Sequence, residues 1–272
     1  MAGAGRLPGP FPVSQPRSLK GQFPFSFGVT SYLYPADIAA NIERLRNLAD
    51  EMELILFESG SATNIPSPAE VAHLADLAEP DGMRFNVHLP LDIDVVSRDP
   101  VFRAASLEVV ARLTERTAPL RPTSYTLHVL RDRADDPEAW RERVRESLAR
   151  IEPPRGRYCI ETLQWDLREI DDIVRELGFS VCIDAGHLLL YGYDVAEFFR
   201  FFAGRISMVH LHGVHDGKDH LPLSVLGPRE RGLIAEAMRG YARSACLEVF
   251  ALKDYQDSVP ALETMFPPGK EG

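Results

Sequence analysis

Seven short apolar segments of this chain each end on an ionisable residue. They are LILFE at Glu58, RFNVH at His88, SYTLH at His128, RYCIE at Glu161, SVCID at Asp184, ISMVH at His210 and SACLE at Glu248. Each has the length and composition of a buried strand. An eighth such segment, FSFGVT, precedes them over Phe25 to Thr30. Helix signals fill the intervals. Ser67-Pro68, Asp99-Pro100 and Asp136-Pro137 each join a capping residue to a proline at the first helical position, and Asp166 and Asp194 suit two more caps. Apolar residues then recur at helical spacing: Ile38, Ile42, Leu45, Leu48 and Met52; Trp140, Val144, Leu148 and Ile151; and Ile170, Ile173, Val174 and Leu177, stopped by Gly178. These stripes read as core packing. Eight strands alternating with helices in 272 residues predict an α/β protein of the (β/α)8 TIM barrel class. A doubly wound sheet would need a glycine-rich phosphate turn after its first strand, and FGVTSYLYP supplies none.

The barrel is expected over 25–266 as a single domain. It lies between a Gly- and Pro-rich flexible tail at 1–24 and a short C-terminal tail at 267–272. A hydrophobic content of 45% suffices for one large core. No run of 18 apolar residues predicts a membrane span. The formal net charge of -10 repels phosphate backbones, so neither nucleic acid nor a membrane surface is an expected partner. Cys159, Cys182 and Cys246 form no CxxC pair and are odd in number, which suits a reducing cytoplasm.

Side chains alternate along a strand, so the residue two before each end faces the same way as the end residue. Those residues are Leu56, Asn86, Thr126, Cys159, Cys182, Met208 and Cys246. They predict a neutral layer, with the cysteines as small fillers, beneath a ring of three imidazoles and four carboxylates. Barrel enzymes carry their sites at this end of the strands. Bare carboxylates crowded there would repel one another, and a divalent cation removes that cost. Mixed His and carboxylate sets are suitable ligands. His88, His128, Glu161, Asp184, His210 and Glu248 are therefore predicted ligands. Any one of them alone would read as a cap or a coincidence; six at one register do not. Glu58 is assigned instead to substrate contact or to the SGSATN loop beside it.

His187 follows Asp184 by three residues and reaches the same site. Register favours His210 as the ligand and puts His212 at the rim, among the substrate contacts. The loop HGVHDGKDHLPL reads either as a solvated turn around Gly217 or, with His187, as a further metal site. In the second case Asp219 and His220 are favoured over His215 and Asp216. Leu188 to Leu190, Tyr191 and Tyr193 either wall a bulky substrate or pack the next helix, and Tyr191 is taken as a substrate contact. His73, on a polar helix face, is given no role.

VHLPLD from Val87, LHV from Leu127, IET from Ile160, IDAGH from Ile183, VHLHG from Val209 and LEVF from Leu247 carry a resemblance. In order and barrel position they resemble the xylose isomerase-like superfamily, which includes endonuclease IV-type phosphodiesterases and sugar isomerases and epimerases. The resemblance spans roughly Phe25 to Phe266. Its endonuclease-type branch implies one metal on His88, His128 and Glu161, and a second on Glu161, Asp184, His210 and Glu248. A third would use His187 with an Asp-x-His motif, for which this chain has only the adjacent Asp219 and His220.

TSYLYP with LILFES, VHLPLD, AGHLLLYG, and HLHGV followed by DHLPL are similar to the cobamide-remodelling phosphodiesterases. That resemblance implies hydrolysis of the nucleotide loop of a corrinoid, to a lower-base nucleoside and a phosphorylated cobinamide. It implies two or three divalent metal ions, zinc or manganese. Glu161 and Glu248 would be the catalytic carboxylates, and Lys218 or Arg229 would steady the phosphoryl charge. The alternative is a sugar or sugar-phosphate isomerase or epimerase with one metal on Glu161, Asp184, His210 and Glu248, its carboxylates moving protons. His88 and His128 separate the two readings, because a one-metal site does not need them. The acidic surface weighs against a DNA repair nuclease. A non-catalytic binding module has little use for the full ring.

Overall fold

The computed structural model describes residues 16–61 and 63–267. Eight parallel strands close into a barrel: β1 (Ser26–Thr30), β2 (Glu51–Ile55), β3 (Arg84–His88), β4 (Tyr125–Leu127), β5 (Tyr158–Glu161), β6 (Ser180–Asp184), β7 (Ile206–Leu211) and, last in the chain, β10 (Ser244–Leu247), which pairs with β1. The helices are α1 (Ile38–Leu45), α2 (Pro68–Ala78), α3 (Pro100–Thr117), α4 (Pro137–Ala149), α5 (Asp171–Leu177), α6 (Ala185–Leu190), α7 (Val195–Phe201), α8 (Pro228–Ala237) and α9 (Leu252–Met265). The predicted barrel is thus the observed one. A two-stranded antiparallel hairpin, β8 (Gly213–His215) with β9 (Lys218–Leu221), projects beyond β7. Its turn is Asp216-Gly217, with φ of 49° and 75°, the left-handed pair that a tight hairpin requires. No helix among the described residues is long and apolar enough to cross a membrane.

The caps form where the sequence places them. Ser67 makes a reciprocal capping box with Glu70 on α2, and Asp99, Asp136 and Asp194 cap α3, α4 and α7. Asp166 caps the short turn before α5, and Gly178 ends α5 with φ of 78°. Inside the barrel Cys159, Cys182, Met208 and Cys246 form one fully buried cluster.

Two expectations need correction. The second strand is EMELI, not LILFE. Ile55 stands beside His88, so Ile55 occupies the ring position on β2 and Glu58 lies beyond the strand, exposed. Two residues below Ile55 is Glu53, not an apolar filler, and it is fully buried. Met52, read into the first helical stripe, belongs to this strand as well. The second correction concerns the N-terminal segment. Leu19 and Phe23 are buried in the core, Phe23 stacks on Phe25, and the Tyr255 hydroxyl donates to the Arg17 carbonyl. Residues 17–24 therefore pack with the barrel. Of the expected tails, 1–15 and 268–272 lie outside the described residues.

Candidate metal centre

Glu161 ends β5, a strand paired on both sides, and its side chain is 1% exposed. Its two oxygens face different partners. Oε2 lies 3.2 Å from His88 Nε2 and 2.8 Å from His128 Nε2. Oε1 lies 3.4 Å from His210 Nδ1 and 3.5 Å from His187 Nδ1. Among the described residues, three groups of side chains come close enough to hold an ion: His88, His128 and Glu161; Glu161, Asp184, His210 and Glu248; and His187, His212 and His220. The first two share Glu161.

Asp184 ends β6 and also caps α6, where its Oδ1 accepts the His187 N–H at 2.7 Å. The cap explains why a carboxylate and an imidazole stand three residues apart: one turn of helix returns His187 to the carboxylate. His212 Nε2 lies 3.0 and 3.1 Å from the two Asp184 oxygens. His212 Nδ1 accepts the His220 backbone N–H at 3.1 Å, so Nε2 carries the proton and braces Asp184. The ring fits because residue 186 is glycine; a Cβ there would meet His212 Cε1 at 2.1 Å.

These groups answer one another electrostatically. Burial would lower the His88 imidazole, but the hydrogen bond and charge of Glu161, with Glu248 and Glu53, hold it up at about 9. Burial works against His187 too, and Asp184 and Glu161 raise it to about 10. Burial would raise the Glu161 carboxyl, and the charges of His128 and His210 keep it well below the ordinary range. Asp184 and Glu248 are lowered likewise, by His187 and His210 foremost among the opposing charges. Protons thus sit where a cation would. His210 Nδ1 lies 3.0 Å and His220 Nδ1 3.8 Å from the same oxygen, Glu248 Oε2. A divalent cation would displace those protons and take up the nitrogen and carboxylate donors that converge here, so the donor set fits one.

The family model for the xylose isomerase-like TIM barrel matches residues 42–259. The chain belongs to that family. Among solved structures this xylose isomerase-like barrel is similar to a D-tagatose 3-epimerase-like protein, at 18% identity and a TM-score of 0.75 over 89% of this chain and 97% of that one. It is similar to the IOLI protein with a binding zinc atom, at 12% identity and a TM-score of 0.71 over 89% and 98%. It is also similar to the 3-keto-D-glucoside 4-epimerase of E. coli, at 13% identity and a TM-score of 0.69 over 88% and 99%. No curated protein matches the sequence.

A cavity of about 310 Å³ opens over the ring of this xylose isomerase-like barrel. His88, His128, Glu161, His187, His220 and Glu248 form its floor, and Ile55, Phe57, Leu91, Leu130, Leu163 and Phe250 its apolar walls. Tyr191 and Gln164 complete the lining. Lys218, Arg229 and Glu58 are exposed and do not line the cavity. Lys218 is on the hairpin strand and Arg229 in the first turn of α8, both outside the mouth. His212 is fully buried rather than at the rim. His215 and Asp216 occupy the solvated turn, with side chains 67% and 85% exposed. Asp219 Oδ2 lies 3.7 Å from His187 Nε2 but outside the three close groups. Glu53 escapes a sequence reading because a carboxylate two residues from the strand end violates the apolar pattern by which strands are found.

Proposed function

We propose that this barrel is a divalent-metal phosphodiesterase, and that its substrate is the nucleotide loop of a cobamide. The observation that carries the reading is the divided Glu161 carboxylate. One oxygen faces the two imidazoles of the first group, and the other faces His210 of the second. A one-metal site uses only the second group and leaves His88 and His128 unexplained. The finer assignment, to a corrinoid substrate, rests on the resemblance of the TSYLYP, VHLPLD, AGHLLLYG and HLHGV segments.

Divalent cations held by these groups would lower the pKa of water and neutralise charge growing on a phosphoryl oxygen. The chain's own residues do the rest. His88 Nδ1–H donates to the Leu89 carbonyl at 2.9 Å, which holds its ring and leaves Nε2 facing the site. Burial, then Asp219 and Asp184, raise the Tyr191 phenol, so it stays protonated at neutral pH as a donor to a substrate oxygen. The apolar walls exclude bulk water and strengthen every charge interaction within. No Lys or Arg among the described residues lines the cavity, so positive charge at a phosphodiester comes from the ring. A second cavity of about 440 Å³, lined in part by Arg98, Arg131 and Arg143, shares Leu130 and Gln164 with the first.

The second reading is a sugar epimerase. It is favoured by the second group, Glu161, Asp184, His210 and Glu248, which by itself makes a complete one-metal site, and by the names of the similar structures. The walls weigh against it, because a polyol needs hydrogen-bond partners and only Gln164 and Tyr191 supply them outside the floor. The deciding experiment incubates metal-loaded protein with an intact cobamide and identifies products by mass spectrometry. A lower-base nucleoside with phosphorylated cobinamide is expected. Unchanged cobamide, alongside epimerisation of a ketose and one bound metal per chain, would establish the second reading instead.

A further inference from the structure

Glu53 projects into the barrel one layer beneath the metal centre. Its side chain is fully buried, and its Oε2 has no hydrogen-bond partner among the described residues. The other residues of its layer include Cys159, Cys182, Met208 and Cys246, which are soft and uncharged. A half-satisfied carboxylate in such surroundings is destabilising, and an apolar side chain would pack there at less cost. The compensating contact is upward: Oε1 lies 3.1 Å from His210 Nε2.

We propose that Glu53 is a positioning residue that sets the tautomer and ring plane of His210. Nε2–H donates to Glu53, and Nδ1 is left with a lone pair. Nδ1 is the atom that faces the ligand group, 3.0 Å from Glu248 Oε2 and 3.4 Å from Glu161 Oε1. His88 and His187 are oriented differently, through Nδ1 to the backbone carbonyls of Leu89 and Thr162 at 2.9 and 3.1 Å. His210 has no such carbonyl to use. It sits within β7, paired with β6 on one side and β10 on the other, so the carbonyls around it belong to the sheet ladder. A side chain from across the barrel, that of Glu53, reaches its inner nitrogen instead. A carboxylate there also makes the imidazole a stronger ligand.

The inference rests on the reading that Glu161, Asp184, His210 and Glu248 hold a divalent cation. Its test uses Glu53→Leu and Glu53→Gln in the full chain, with three measurements: calorimetric titration of metal-free protein with Zn²⁺, ¹⁵N-histidine NMR of the zinc form, and the melting temperature without metal. Glu53→Leu is expected to weaken zinc binding at this group by ~10–100-fold and to abolish the Nε2–H form of His210. Its metal-free melting temperature is expected to equal or exceed that of wild type, because the unpartnered buried oxygen is gone. Glu53→Gln still offers a carbonyl oxygen, so it keeps the tautomer and loses less affinity. Wild-type affinity in both variants would overturn the proposal. A fall in metal-free stability that accounts for the lost affinity would also overturn it, leaving Glu53 merely structural. Wild-type protein that binds no zinc would instead remove the metal reading beneath it.

Discussion

Glu161 and His220 both face the mouth of the barrel, but they are held by unlike means. Glu161 ends a strand bonded on both sides and is almost fully enclosed. His220 lies on a two-stranded hairpin, with φ of 50° and a side chain 29% exposed. The first two ligand groups are drawn wholly from the barrel strands and the residues just after them. The third combines His187 from α6, His212 just past β7 and His220 from the hairpin. Strand-borne groups cannot shift without disturbing the barrel, whereas His220 is tied to it through its backbone N–H on His212 Nδ1. His212 is, besides, already engaged at both nitrogens. The strand-end groups are thus held by the barrel itself, and the hairpin contributes His220 from its edge.

The strongest way to break that contrast is to remove its shared member. Glu161→Ala is expected to abolish metal binding at both strand-end groups and to lower kcat/KM by ~10³-fold or more, since a catalytic cation supplies several kcal/mol. Metal content by mass spectrometry, read beside turnover, checks it; retained metal with retained activity would refute the bridging role. His220→Ala is expected to cost only ~10-fold, the scale of a supporting contact. Equal losses in the two variants would show that the hairpin is part of the catalytic core.

A pH series without metal sharpens the comparison. His88 and His187 sit at about 9 and about 10 in the folded chain, above the ordinary 6.5. Their contribution to stability is full below 6.5 and is lost as pH rises through those values. Glu161, Glu248 and Asp184 are lowered from 4.5, 4.5 and 3.8, so their contribution is present above those values and is lost as pH falls below them. The metal-free melting temperature is expected to peak between about 4.5 and about 6.5. Saturating zinc should remove the alkaline decline, because metal and protons compete for the same atoms. A flat metal-free profile would contradict the ion-paired ring.

Smaller effects follow from packing. Gly186→Ala would press a methyl group against the His212 ring and loosen the brace on Asp184. A loss of about 1–3 kcal/mol is expected on overpacking grounds, read by denaturant unfolding. Asp216→Asn, in the exposed hairpin turn, should change stability by less than about 0.5 kcal/mol and leave turnover as it was.

Much of this was legible in the chain itself. The barrel followed from strand-length apolar segments between capped helices, and the ring residues outside β2 followed from the terminal positions of their segments. Both depend on local rules, the two-residue alternation of a strand and the chemistry of a helix cap. The second strand resisted for a physical reason. LILF is a continuous apolar run and looks buried, while EMELI carries two inward carboxylates, Glu51 and Glu53, that no rule of apolar interiors anticipates. His212 resisted as well. Its place beyond β7 suggested a rim, and only the space left by Gly186 draws its ring inward. Outside β2, local sequence determined which residues stand at the strand ends and which way they face. The tertiary structure decided which atoms meet. The two oxygens of Glu161 serve different partners, and Glu53 reaches His210 across 157 residues of chain. Those meetings depend on the stagger of strands around a closed barrel, and no single segment encodes that stagger.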